Sequence, residues 1–197
     1  MASTTPQLYG LVLAGGKSTR MGSDKGLLTY HDVPQQEYLY KLLGQICDDV
    51  FLSIREEQST SIPDGFKTII DQNEYRGPFN GILSAHKAYP DVAWLVLACD
   101  LPLINLETLR QLAENRNPKQ GATSFATKET ELPEPLITIW EPSGLQEAIQ
   151  HMQTAESSCP RKFLINSDTK LVFPEHDEVL YNANYIEDYK YAKSKID

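Results

Sequence analysis

The sequence has no long apolar run and no excess of positive charge. No segment approaches the about 18 apolar residues of a membrane span, and the N-terminal MASTTPQ lacks the basic and apolar parts of a signal peptide. The chain carries 18 Lys and Arg against 27 Asp and Glu, a net charge of −9, and no basic cluster offsets this balance. We therefore expect a cytoplasmic protein that binds neither nucleic acid nor membrane.

Cysteines are few and widely spaced. Cys47, Cys99 and Cys159 form no CxxC pair, which argues against a disulfide framework and against a zinc site. Hydrophobic residues make up 41% of the 197 residues. A chain of this length buries roughly 70% of the surface that its unfolded form exposes. We expect a single domain, residues 1–197, whose core needs neither disulfides nor a structural metal.

Two common phosphate-binding fingerprints are also absent. The sequence contains no GxGxxG, which disfavours an NAD enzyme. A Walker A loop ending at Gly16-Lys17-Ser18 would need glycine at position 11, where the chain has Leu11. A P-loop NTPase is therefore disfavoured as well.

Short apolar runs alternate with segments whose apolar residues have helical spacing through the first 116 residues. The pattern predicts strands over 8–13, 50–54, 66–70 and 92–97, and helices over 34–46, 82–89 (continuing from Pro78) and 105–116. Beyond residue 116 it predicts strands over 121–127, 135–140 and 171–173, helices over 143–152 and 185–195, and a loop over 129–135. Such alternation favours a Rossmann-like three-layer α/β/α fold with a mostly parallel sheet.

The loop after the first strand has the composition of a phosphate-binding site. Residues 13–25 read LAGGKSTRMGSDK, in which glycines allow close approach of the backbone and Lys17, Arg20 and Lys25 supply positive charge. In open sheets of this kind, ligands bind outside the carboxyl ends of the strands. The alternative is a glycine-rich surface turn whose lysines are solvated.

Two aspartates follow predicted strands. Asp100 follows the most apolar strand, and Asp71 follows the strand that ends at Ile70. Mg²⁺ prefers one or two carboxylates, with water and substrate phosphates completing its shell, so Asp100 is a candidate metal ligand. An isolated Asp at such a position is equally typical of a turn or a helix cap.

The segment LAGGKSTRMGSDKGLL resembles the LAGG, RMG and DK signature of the nucleotidyltransferase family that includes the MobA-like molybdenum cofactor guanylyltransferases. The resemblance implies a nucleotidyltransferase fold. It assigns nucleotide binding to Leu13, Ala14, Gly15 and Gly16, and the backbone of the first three would face the base. It assigns phosphate contacts to Lys25. Arg20 would assist with the triphosphate, and Arg20, Lys25 and Asp100 would form the catalytic set.

Other segments carry the same resemblance. Asp100-Leu101-Pro102 matches the family's Asp-x-Pro, whose Asp holds Mg²⁺. Asp71, which precedes a GPxxG at 77–81, matches a base or ribose contact. Phe79-Asn80 departs from the small or aliphatic residues that are usual inside that motif. Ser53 stands where some members present Asn, so that Ser53 or Arg55 would take over this contact.

The resemblance extends to the acceptor side. Asn182 and Asn184 match the family's NxNTPE(D/E) segment, which would place them beside a pterin substrate, although Asn184 is equally suited to capping the last helix. Glu134-Pro135-Leu136 is similar to an acceptor-side segment. Arg161-Lys162 would attract a pterin phosphate or form an ordinary basic pair on a helix.

The reaction that the resemblance implies is transfer of GMP from GTP to the terminal phosphate of molybdopterin, with or without molybdenum, with release of pyrophosphate. It implies Mg²⁺ as the cofactor, and transient contact with molybdoenzymes or their chaperones, by a monomer or weak oligomer. Two alternatives stay open: a cytidylyltransferase acting on molybdopterin or on a sugar or polyol phosphate, and a nucleotide-binding module without turnover.

Overall fold

The computed structural model describes residues 5–16, 25–154 and 157–196. Within these ranges the chain forms a sheet of seven strands in the order β3-β2-β1-β4-β6-β5-β7. The strands are β1 Leu8–Leu13, β2 Asp49–Ile54, β3 Thr68–Ile70, β4 Ala93–Ala98, β5 Ala122–Ala126, β6 Pro133–Trp140 and β7 Thr169–Val172. The central strands are the most apolar, and every residue of β4 is buried.

Six helices flank the sheet in the described part of the chain. They are α1 Gln35–Leu43, α2 Pro78–Ala88, α3 Leu106–Glu114, α4 Pro142–Met152, α5 Pro160–Ile165 and α6 Ile186–Ile196. Shorter 3₁₀ turns cover Lys25–Leu27, Glu56–Ser61 and Asp177–Leu180. None of the described helices is long and apolar enough to cross a membrane.

The core lies in two layers because successive side chains of a strand point to opposite faces. In β4, Leu95 and Leu97 pack with residues of α1 and α3, whereas Trp94 and Val96 pack with residues of α2, α4 and α5. The sheet is therefore covered on both faces, which confirms the three-layer α/β/α prediction.

Four of the six strand pairings in the described chain are parallel, and those of β6 with β4 and with β5 are antiparallel. The prediction of a mostly parallel sheet is confirmed. The antiparallel direction has a consequence for the site: Leu97 pairs with Ile137, so residues 133–136 lie near the carboxyl end of β4.

Several boundaries differ from the sequence predictions. The strand predicted over 66–70 begins at Thr68, and that over 171–173 covers Thr169–Val172. Pro133 and Glu134 belong to β6 and not to the predicted 129–135 loop. The predictions missed α5, since its six residues are too few to show a helical repeat.

Candidate active site

A cleft of about 610 Å³ opens at the carboxyl ends of β1, β2 and β4. Its lining includes each described residue that the sequence analysis assigned to nucleotide binding, together with Asn184: Leu13, Ala14, Gly15, Gly16, Lys25, Ser53, Asp71, Asp100 and Asn184. Lys17 and Arg20 lie outside the described residues. Asn182 lines a neighbouring cavity. The structure thus brings together segments that are far apart in the sequence.

One end of the cleft is built around Asp71. The hydroxyl of Ser53 donates a hydrogen bond of 2.6 Å to Asp71 Oδ1, and Ser53 is 1% exposed. The other carboxylate oxygen lies against Gly15, where a Cβ would stand 2.6 Å from Oδ2. Gly81 leaves room for the Ser53 hydroxyl in the same way. Burial raises the pKa of the Asp71 carboxyl, and the Ser53 hydrogen bond opposes that shift.

The loop after β1 is fixed by residues that follow β2. Arg55 donates from Nη1 to the carbonyl of Gly15, and Gln58 donates from Nε2 to the carbonyl of Ala14 at 3.1 Å. The amide of Ala14 donates to the carbonyl of Ser53 at 2.9 Å. Gln58 is a site residue that was not predicted from the sequence. It lies three residues after Arg55, within the turn Glu56–Ser61, and its side chain accepts from the Arg55 amide at 2.9 Å, as the glutamine of a capping box does.

The other end of the cleft combines a cation, a carboxylate and an amide. Lys25 donates from Nζ to Asn184 Oδ1 at 2.8 Å and lies 3.8 Å from Asp100 Oδ2. The amide of Ala183 donates to the Asp100 carbonyl at 2.8 Å, which brings the two asparagines to the end of β4. Burial raises the pKa of Asp100, and the positive charge of Lys25 acts against this rise.

Asp100 is suited to a divalent cation. Its Oδ1 is buried and has no hydrogen-bond partner among the residues that the structure describes, so a hard cation would satisfy it. Among the described residues, no three His, Cys, Asp or Glu side chains gather as a metal cluster. A cation at Asp100 would therefore complete its shell with water and substrate oxygens, which is the ligand set typical of Mg²⁺.

A second cavity of about 450 Å³ adjoins the cleft and shares Pro78 and Leu136 with it. Its lining includes Asn182, Glu134 and Arg161. Arg161 donates to Glu134 Oε2 at 2.6 Å and to the Pro133 carbonyl at 3.1 Å, so it belongs to this cavity. Lys162 is exposed. Burial raises the pKa of Glu134, and the Arg161 charge opposes this.

Phe79 lies in the core and not at the cleft. It is fully buried, with its ring centroid 5.7 Å from that of Trp140. Its neighbour Asn80 lines the cleft. The departure of Phe79-Asn80 from the family pattern therefore changes one core residue and one cleft residue.

The fold and the site together define a class: an α/β nucleotidyltransferase whose glycine-rich loop and strand-end aspartates share one cleft. The model of the MobA-like NTP transferase domain matches residues 10–171. The chain belongs to this family.

Named relatives agree with this assignment. The chain is 40% identical over 188 residues to a molybdenum cofactor biosynthesis bifunctional protein of Synechocystis, a match covering 95% of this chain and 54% of the relative. It thus spans about half the length of that protein. It is 30% identical over 177 residues to a molybdenum cofactor guanylyltransferase of Pseudomonas fluorescens, with 88% of each chain covered.

The fold itself is shared with a solved structure. Molybdopterin-guanine dinucleotide biosynthesis protein A from Archaeoglobus fulgidus superposes with a TM-score of 0.76, covering 95% of this chain and 97% of that one at 20% identity. This likeness confirms the fold class predicted from the sequence.

Proposed function

We propose that this protein transfers GMP from GTP to the terminal phosphate of molybdopterin, with or without molybdenum, and releases pyrophosphate. The observation that carries the proposal is the pairing of a nucleotide-sized cleft with an adjoining cavity, with Lys25, Asp100 and Asn184 in the cleft and Asn182 in the cavity. The volume of the cleft lies in the range of small-molecule sites. The family and the names of the relatives support guanylyl transfer in molybdenum cofactor biosynthesis.

In this proposal the nucleotide lies along the cleft. Its base or ribose faces Asp71 and the backbone of the Leu13–Gly16 segment, and its phosphates face Lys25. The Ser53 hydroxyl and the space at Gly15 set the position of the Asp71 carboxylate. Molybdopterin occupies the adjoining cavity, with Asn182 beside it and its phosphate directed toward the cleft.

The reaction requires positioning more than a nucleophilic side chain. An oxygen of the pterin phosphate attacks the α-phosphorus of GTP, a new P–O bond forms, and the bond to the β-phosphate breaks so that pyrophosphate leaves. A phosphate monoester is already ionised at neutral pH, with a second pKa of about 6, so no general base is needed. Lys25 offsets negative charge on the phosphates, and Arg20 is proposed to assist it.

Asp100 would hold Mg²⁺ through its carboxylate, of which Oδ1 is buried. When bound, the ion supplies Lewis-acid neutralisation of phosphate charge. The Lys25 ammonium, 3.8 Å from Asp100 Oδ2, keeps a second positive charge at the same end of the cleft. The side chains of Lys25 and Asp100 are each 18% exposed, which keeps their interactions with phosphate less screened than at an open surface.

The remaining expectations belong to the same proposal. The chain acts as one catalytic domain over residues 1–197, as a monomer or weak oligomer in the cytoplasm. It meets molybdoenzymes or their chaperones transiently. It uses neither nucleic acid nor membrane as a partner.

The test is Mg²⁺-dependent release of pyrophosphate from GTP or CTP, each with molybdopterin as acceptor. We expect release with GTP and none when molybdopterin is omitted. Release with CTP in place of GTP would replace the proposal by a cytidylyltransferase. Binding of GTP without release would favour a nucleotide-binding module.

A further inference from the structure

The first turn of α6 is organised by one carboxylate. Asp188 Oδ2 accepts hydrogen bonds of 2.8 Å from the backbone amides of Asn184 and Tyr185, and its Oδ1 accepts one of 2.7 Å from the Tyr181 hydroxyl. These bonds lower the pKa of Asp188 and raise that of Tyr181 to about 12. Asp188 therefore stays ionised, and the backbone on either side of Asn184 is fixed.

Asn184 connects the first turn of α6 to the cleft. Its side-chain oxygen accepts from Lys25 Nζ at 2.8 Å, a contact between residues 159 positions apart. The same ammonium group lies 3.8 Å from Asp100. A chain of contacts thus runs from Asp188, through the backbone and side chain of Asn184, to the cation of the cleft. Asp188 does not line the cleft.

A second set of contacts joins α6 to the segment that follows Lys25. The Tyr189 hydroxyl donates to the Thr29 carbonyl at 3.1 Å, and Lys193 donates to the Tyr30 carbonyl at 2.9 Å. The rings of Tyr30 and Tyr189 lie 4.9 Å apart, and Tyr30 is 1% exposed. The helix therefore holds this segment independently of Asp188.

We infer that Asp188 is a positioning residue: it holds Asn184 so that the Lys25 ammonium stays beside Asp100. This inference rests on the proposed function for its effect on turnover, and on geometry alone for its effect on Lys25. Replacing Asp188 by Ala removes the acceptor of two backbone amides, so Asn184 loses its fixed place. Lys25 then becomes more accessible while Tyr189 and Lys193 keep α6 attached.

The first test measures the accessibility of Lys25 without any substrate. Wild-type protein and Asp188→Ala are treated briefly with an amine-acylating reagent, and peptides containing Lys25, Lys193 and Lys41 are quantified by mass spectrometry. Lys41, with a side chain that is 63% exposed, provides the reference. We expect Lys25 to be acylated several-fold faster in Asp188→Ala than in the wild type, while the acylation rate of Lys193 stays the same. Asp188→Asn keeps an acceptor oxygen, so its Lys25 should be acylated at the wild-type rate.

Glu187→Ala provides the matched control, because it removes the neighbouring carboxylate from the same turn. It should leave the Lys25 rate unchanged. Equal Lys25 rates in wild type and Asp188→Ala would overturn the inference. A parallel rise at Lys25 and Lys193 would also overturn it, because Asp188 would then act only as a general cap of α6.

The second test follows turnover. We expect Asp188→Ala to lower kcat about tenfold with a smaller change in KM for GTP, and to have no further effect in an Asn184→Ala background. Additive losses in the double variant would contradict action through Asn184. If wild type fails to release pyrophosphate, the proposed function fails, while the acylation result still decides the contact chain.

Discussion

Asp71 and Asp100 are both half-buried carboxylates at strand ends, but their surroundings differ. Asp71 is held by the Ser53 hydroxyl and lies against Gly15. Asp100 faces the Lys25 cation, and one of its oxygens has no hydrogen-bond partner within the described ranges. The first arrangement suits a fixed hydrogen-bond acceptor, whereas the second suits a metal ligand. We therefore expect substitutions at these two sites to impair different steps, nucleotide binding at Asp71 and turnover at Asp100.

Replacing Asp100 by Asn tests its proposed role as a metal ligand. The neutral amide is a poor ligand for Mg²⁺, and the several kcal/mol of charge stabilisation that a metal provides would be lost, so turnover should fall by roughly 10³-fold or more. Pyrophosphate release at saturating Mg²⁺ measures this. Asp168→Asn is the control, because Asp168 accepts from Gln120 and lines neither cavity. Undiminished turnover in Asp100→Asn would remove Asp100 from the catalytic set.

Replacing Ser53 by Ala tests the positioning of Asp71. Loss of one buried hydrogen bond of roughly 1 kcal/mol should weaken GTP binding by about fivefold to tenfold. Ser53→Asn, the residue that some family members carry, should bind more tightly than Ser53→Ala. Calorimetric titration with GTP gives these affinities, and Ser124→Ala, which removes another buried hydroxyl, should leave them unchanged. Equal affinities in all three variants would refute the role of Ser53.

The raised pKa of Asp71 makes a prediction about stability. Because the folded chain holds this proton more tightly than the unfolded chain, the contribution of Asp71 to the free energy of unfolding falls as pH rises above about 4. Asp71→Asn has no such charge, so its melting temperature relative to wild type should rise between about pH 4 and neutrality. Thermal unfolding across this range measures the difference. A pH-independent difference would contradict the expected cost of the buried charge.

At the scale of elements, α4 closely approaches the residue before β5, and both residues of this contact are glycines. A Cβ at Gly144 would stand 2.6 Å from the carbonyl carbon of Gly121, which is backbone and cannot rotate away. Gly144→Ala should therefore cost about 1–3 kcal/mol of stability through overpacking. Chemical denaturation measures this loss. Gly44→Ala is the control, because a Cβ there meets its nearest atoms at 3.5 Å. An equal loss of stability in both variants would show that the close contact at Gly144 is not the cause.

The sequence predicted the elements whose signal is local. The apolar run of β4 and the glycine-rich loop after β1 are readable in consecutive residues. The direction of β6 is not readable, because an alternating apolar pattern is the same for parallel and antiparallel strands. That direction brings Glu134 to the cavity beside the cleft.

The sequence predicted which residues lie at the site better than it predicted which of them contact each other. Family resemblance placed Lys25, Asp71 and Asp100 at a nucleotide site and Asn184 beside the pterin, whereas the structure brings all four to one cleft. It could not show that Lys25 contacts Asn184, because the two residues are 159 positions apart and their pairing depends on the path of the chain after β7. Contacts of this kind require the three-dimensional fold.

At the scale of the whole molecule, positive side chains line the cleft although the chain as a whole is acidic. The chain carries a net charge of −9, yet Lys25 and Arg55 line the cleft. In the proposed function, a triphosphate would therefore be bound by local cations and backbone amides and not by the field of the whole protein. This arrangement suits a small anionic nucleotide better than an extended polyanion.

The most direct test of the central claim is the fate of labelled phosphate. Protein, Mg²⁺ and molybdopterin are incubated with GTP labelled at either the α- or the γ-phosphate, and the products are separated by chromatography. For GMP transfer, we expect the α-label to appear in a pterin–guanine dinucleotide and the γ-label in pyrophosphate. Transfer of the γ-label to the pterin, or no transfer of either label, would contradict it.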